Sequence, residues 1–142
     1  MSEDWTRISA NWVGGLNFLG ENQTNGTVQM GTSDTLSVIT PMQILLIGLA
    51  GCTGMDIVSI LQKKRIELDR FQIEVEARKA DLFPKIWTNI HVKYLFWGKS
   101  IKNSDVEQAI KLSEDKYCSV SIMLGKSAEI KSSYQINLSA ER

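Results

Sequence analysis

A chain of 142 residues with 43% hydrophobic content has enough apolar material for one domain with its own core, and we expect a single domain over residues 1–142. Sixteen basic and sixteen acidic residues cancel to a formal net charge of zero. That balance excludes a general electrostatic attraction to nucleic acid or to acidic membranes. The Met1-Ser-Glu-Asp-Trp5 start carries no secretory signal, so a cytoplasmic protein is expected. Two cysteines in such a setting suggest a redox or catalytic pair before a structural staple. One histidine and two cysteines cannot complete a four-ligand structural zinc site within the chain, so neither a metal nor a cofactor is implied.

In chain order, residues 5–13 alternate loosely and read as a strand, followed by a Gly14-Gly15 turn and a second strand through Leu16, Phe18 and Gly20. Asn25-Gly26 marks a tight turn into a third strand, Thr27 to Gly31, and a polar connection leads to Thr40. From Thr40 to Arg65 runs the dominant element. Thr40 with Gln43 makes a capping box, Pro41 suits the first helical position, and Lys63, Lys64 and Arg65 place cations at the negative end of the dipole. Between these ends nearly every residue is apolar or small on all faces, which predicts a buried helix. Met42 to Leu61 has the length of a membrane span. Gln43, Asp56 and three glycines interrupt it, and the remainder reads as soluble strands and helices, so no membrane is expected.

After the helix, Phe71, Ile73, Val75 and Ala77 alternate with polar residues, and a second alternating run from Ile86 to Trp97 completes an antiparallel hairpin. His91 falls on its polar face and reads as a solvated surface residue. Ser104 to Glu107 forms a capping-box pattern opening a helix with Val106, Ala109, Ile110 and Ser113 on one side. Cys118-Ser119 opens a short helix stopped by Gly125, and a strand from Ala128 to Leu138 ends the chain. The sum is an α+β fold of antiparallel strands around a long central helix. A helix apolar on every face needs more cover than one small domain supplies, so an intertwined homodimer is expected.

Two motifs now stand in order. Pro-Met-x-Ile-Leu-Leu-x-Gly-Leu-x-Gly-Cys-Thr-x-Met-Asp-Ile-Val-Ser-Ile-Leu holds Cys52, and Tyr-Cys-x-Val-Ser-x-Met-Leu holds Cys118. Together they resemble the OsmC/Ohr family of osmotically induced and organic-hydroperoxide-resistance proteins, over nearly the whole chain. The resemblance implies an OsmC-like fold, a homodimer, an organic hydroperoxide as substrate and an external dithiol as reductant. It also implies that Cys52 attacks the peroxide and Cys118 resolves the resulting sulfenic acid as a disulfide. Gln43, Leu45, Leu49 and Met55 are the candidate lining of an apolar substrate pocket around Cys52.

The chain also departs from the family pattern. Gln43 stands where the family has a glutamate, and no Lys or Arg lies between Arg7 and Lys63 to supply the family's hairpin arginine. Ser119 replaces the proline that follows the second cysteine. Cys52 sits too deep in its helix to feel the N-terminal dipole, and Asp56 opposes a thiolate there. Local physics alone makes Cys118, at a helix start, the more acidic thiol. A second reading is therefore a dimeric binding or stress protein whose peroxidase activity is weak or lost.

Overall fold

The computed structural model describes residues 5–32 and 37–138. The acidic start Met1–Asp4 and the middle of the polar connection before Thr40 lie outside them. The chain divides into two compact units, Met1–Leu45 and Leu46–Arg142. The first holds an antiparallel sheet of β1 (Ile8–Trp12), β2 (Asn17–Asn22) and β3 (Thr27–Gly31) in that order. Asn25 takes a φ of 70° and Gly14 and Gly15 take 106° and 58°, as the two turns read from sequence require. This sheet leaves apolar residues in water: Trp12 is 68% and Leu16 72% exposed, and Ile8 and Val28 are exposed as well.

Helix α1 (Pro41–Lys63) starts in the first unit and continues through the second. Its capping box forms in full. The Gln43 amide N–H donates to Thr40 Oγ1 at 3.1 Å, and the Thr40 N–H donates to Gln43 Oε1 at 3.0 Å. At the other end Arg65 adopts a left-handed φ of 62°, the Arg65 N–H reaches the Gln62 carbonyl at 2.9 Å and the Ile66 N–H reaches the Leu61 carbonyl at 3.0 Å. These two bonds satisfy carbonyls that would otherwise be orphaned. The basic cluster at 63–65 is thus a helix terminus, with Lys64 Nζ also 3.5 Å from Asp105.

The second unit is built on a three-stranded sheet, β4 (Arg70–Lys79), β5 (Trp87–Trp97) and β6 (Glu129–Asn137), with β5 in the centre. β4 and β5 form the antiparallel hairpin read from sequence, but β6 runs parallel to β5, so the strands are not all antiparallel. Between β5 and β6 the chain crosses through α2 (Asn103–Leu112), a π-helical turn (Ser113–Tyr117) and α3 (Ser119–Leu124). A parallel neighbour needs that long crossover, whereas a tight turn can only return an antiparallel strand. Ile90, Val92, Tyr94 and Phe96 point to one buried side of β5, while His91 on the other side is exposed, near Ser133 Oγ at 3.3 Å.

Leu49, Thr53, Gly54, Ile57 and Leu61 form the buried stripe of α1. A Cβ at Gly54 would stand 2.9 Å from Ile73 Cδ1, so glycine lets the helix backbone settle directly on β4. At Gly48 and Gly51 nothing lies within 4 Å of such a Cβ. The helix expected to be buried all round is buried on one side of this chain, and its other side, with Ile47 and Met55, is exposed. It has the length and mean hydropathy, 2.1, of a bilayer span, yet that buried stripe faces protein.

The Ser104 capping box does not form. α2 begins earlier, with Lys102 as its N-cap and no side-chain cap, and Glu107 instead accepts a 2.6 Å hydrogen bond from the Tyr134 hydroxyl. The Val106, Ala109, Ile110 and Ser113 side is buried as expected. Leu49 is fully buried, so its truncation tests the core directly. Leu49→Ala should destabilise the protein by about 2–5 kcal/mol in denaturant unfolding; a loss below about 1 kcal/mol would remove Leu49 from the core.

Candidate functional site

Cys52 lies mid-way along α1 on the border between its buried and exposed sides, and is half-buried. Cys118 comes to it from the far end of the crossover. The π-helical turn is the device that brings it there. After α2 the hydrogen-bond spacing lengthens by one residue, and the Cys118 N–H bonds the Ser113 carbonyl five positions back at 2.7 Å. Cys118 then leaves the helical conformation, at φ −80° and ψ 102°, and caps α3: the Ser121 N–H donates to its Sγ at 3.2 Å. Its side chain is fully buried.

The two sulfurs and a carboxylate oxygen of Asp56 all lie within 4.8 Å of one another, and both cysteines are free thiols. Asp56 sits one turn beyond Cys52 on the same helix face. The Ser113 hydroxyl donates to Asp56 Oδ2 at 2.9 Å, which ties the π-helical turn to α1 beside the thiols. A second polar chain runs from β5 through the π-helical turn to β6: the Tyr94 hydroxyl donates to Glu114 Oε2 at 2.7 Å, and the Ser132 hydroxyl donates to Glu114 Oε1 at 3.2 Å. Thr53 meets the Tyr94 phenol and also bonds back to the Leu49 carbonyl at 3.0 Å. Burial first, then Glu114, holds the Tyr94 phenol well above its ordinary value, so it stays a donor.

Cys118 is not the acidic thiol that its helix-start position suggests. Burial pushes it up, and the Cys52 side chain against it adds to the shift. The N–H groups of Ser121 and Val120 pull the other way and are outweighed. Desolvation of a charge inside the core exceeds what the end of a six-residue helix returns. Cys118 is therefore the thiol held in its protonated form.

The other sequence candidates scatter. Gln43 is engaged in the capping box, Leu49 is core, and Leu45 and Met55 are exposed, Met55 at 76%. Met55 borders an open apolar groove of about 600 Å³ along α1, together with Ile47, Gly51, Val58 and Phe71. Among the described residues, the salt bridges are Lys64–Asp105, Lys111–Asp115 and Lys131–Glu129, and none involves Asp56 or Glu114. Ser113, Tyr94 and Glu114 are the site residues that the sequence reading did not single out. The available signal was Ser113 itself, a polar residue on the apolar stripe of α2.

Keeping Cys118 neutral stabilises the fold below the thiol's unfolded pKa, about 8.5, and that contribution is lost as pH rises through its higher folded value. With reductant present, the melting temperature should fall between pH 8 and about 10, and Cys118→Ser, which cannot ionise there, should flatten that fall. Parallel declines in both proteins would contradict the assignment.

The family model described as "OsmC-like protein" matches residues 33–133. The protein YhfA of Escherichia coli K12 is 34% identical over 125 residues, covering 88% of this chain and 93% of YhfA. The crystal structure of a hypothetical protein from Aquifex aeolicus superposes with a TM-score of 0.87 at 28% identity, covering 97% of this chain and 100% of that one. An organic hydroperoxide resistance protein OsmC from Legionella pneumophila superposes at 0.69 with 15% identity, covering 95% and 99%, a likeness of fold alone.

Proposed function

This chain belongs to the OsmC-like protein family, and on that footing we propose that it is a thiol-dependent peroxidase acting on organic hydroperoxides through Cys52 and Cys118. The observation that carries the reading is the meeting of these two thiols, from distant parts of the chain, within 4.8 Å. In the proposed cycle the Cys52 sulfur attacks one peroxide oxygen, the O–O bond breaks, and an alcohol leaves. Cys52 is then a sulfenic acid. The Cys118 thiol displaces water from it, forming the Cys52–Cys118 disulfide, and an external dithiol returns two electrons by exchange. A Cys118 held protonated suits the second thiol to act and not the first. The organic hydroperoxide resistance protein of Legionella pneumophila shares the fold, which agrees with this substrate class.

The proposal includes a homodimer. Gly48 and Gly51 face open space, and Ile47 and Met55 stand exposed beside them on an otherwise apolar helix. A second copy laid along this side would cover them, and small residues there allow a close helix approach. The first-unit sheet also exposes Ile8, Trp12, Leu16 and Val28, apolar surface that association would cover. With that side covered, Cys52 and Met55 would face a closed apolar pocket instead of water. One observation favours the rival binding-protein reading: among the described residues no ion pair brings a Lys or Arg to Asp56 beside the thiols.

Mixing reduced protein with an alkyl hydroperoxide separates the roles. Cys52→Ser should consume no peroxide, while Cys118→Ser should turn over once per chain and then over-oxidise. The reverse pattern would exchange the roles, and an inert wild type would leave the binding-protein reading. Sedimentation velocity at micromolar concentration should show a dimer; a stable folded monomer would refute the assembly.

A further inference from the structure

Outside the peroxide chemistry, the same cluster has a composition that redox turnover does not require. Two sulfurs and a carboxylate oxygen converge within 4.8 Å, so a cation placed among them would touch all three with sub-ångström to ångström adjustments of side chains. Zinc binds thiolate sulfur at about 2.3 Å and carboxylate oxygen at about 2.0–2.2 Å, which sets donor–donor spacings near 3.5 Å. We propose that the reduced protein binds one thiophilic divalent cation of the zinc class through Cys52 Sγ, Cys118 Sγ and an Asp56 carboxylate oxygen, leaving a fourth position open to water.

The donor set selects the ion. Two soft sulfurs favour zinc and its neighbours over magnesium or calcium, which demand oxygen ligands. Binding displaces two thiol protons and leaves a complex with one net negative charge from three anionic donors and a divalent cation. The surroundings are those of a metal site as well. The Ser113 hydroxyl donates to Asp56 Oδ2 at 2.9 Å and so fixes the carboxylate beside the two sulfurs. The Ser121 N–H points at Cys118 Sγ from 3.2 Å, where it would stabilise a coordinated thiolate. Such second contacts orient ligands and tune affinity. Asp56 enters no ion pair among the described residues, so no Lys or Arg salt bridge competes for its carboxylate. Counting histidines and cysteines in the sequence misses the site, because the third ligand is an aspartate one turn from a cysteine.

Metal and disulfide are mutually exclusive, since oxidation removes both sulfur ligands. The ion would shield the thiols from peroxide, and oxidation would release it. This inference does not depend on the peroxidase reading, and its readout is a spectrum of the resting protein, not turnover.

The test titrates Co²⁺ into reduced, chelator-stripped, full-length protein, then displaces it with Zn²⁺ against a chromophoric chelator. One equivalent per chain should give sulfur-to-cobalt charge-transfer bands with visible bands of tetrahedral intensity. Disulfide-oxidised wild type should give neither, a comparison that needs no substitution. Asp56→Asn should weaken Zn²⁺ binding at least about tenfold, and Ser113→Ala by roughly 10-fold through loss of the orienting bond. Absence of charge-transfer bands in the reduced wild type overturns the proposal. So does equal binding by the oxidised protein, or by a folded Asp56→Asn variant.

Discussion

One hydrogen bond connects everything that matters at the site: the Ser113 hydroxyl on Asp56 Oδ2, 2.9 Å long. It spans the gap between the central helix and the crossover, and it is made where the α2 spiral gives way to a π-helical turn. π-helical turns cost regularity and persist where something specific is held. Here the turn sends the Cys118 N–H to the Ser113 carbonyl and presents Ser113 itself to α1. The thiol pair is thus positioned from both sides, by α1 through Cys52 and by the turn through Cys118. Gly54 does the corresponding work on the other side of the helix, where its lack of a Cβ leaves room for the Ile73 side chain of β4.

The electrostatics of the interior follow from what surrounds the thiols. Asp56 and Glu114 are both engaged by hydroxyl donors, Ser113 for one and Tyr94 with Ser132 for the other. Neutral donors can hold a carboxylate in place, but they do not balance its charge. Burial is what holds the Cys118 thiol and the Tyr94 phenol protonated, with the Cys52 side chain adding to it at Cys118 and Glu114 at Tyr94. The peroxidase and metal-binding readings both grow from this arrangement. One uses the proximity of the sulfurs, the other those sulfurs together with the Asp56 carboxylate.

Most of the fold is legible in the sequence because its signals are local. The Thr40–Gln43 box, the Asn25-Gly26 turn, the alternation along β4 and β5 and the stop at Gly125 each act within a few residues. What could not be read is what depends on distant partners. The parallel pairing of β6 with β5 reflects the crossover as a whole, and Ser104 lost its capping role because the helix began earlier at Lys102. At the site, both cysteines were visible, and Asp56 was visible only as an obstacle to ionisation. Cys118 was misjudged for a physical reason: sequence shows the helix start but not the burial that outweighs it. Leu49 and Gln43 are apolar or polar neighbours in sequence whose duties are core and cap.

The central claim is that Cys52 and Cys118 work as one redox pair. The most direct measurement is intact-mass and peptide mapping of the wild-type protein after one equivalent of an alkyl hydroperoxide. The account predicts loss of two hydrogens per chain and a single Cys52–Cys118 linkage within the chain, reversed by a dithiol. Recovery of both thiols unmodified, or of a sulfinic acid at Cys52 with Cys118 still free, would contradict it.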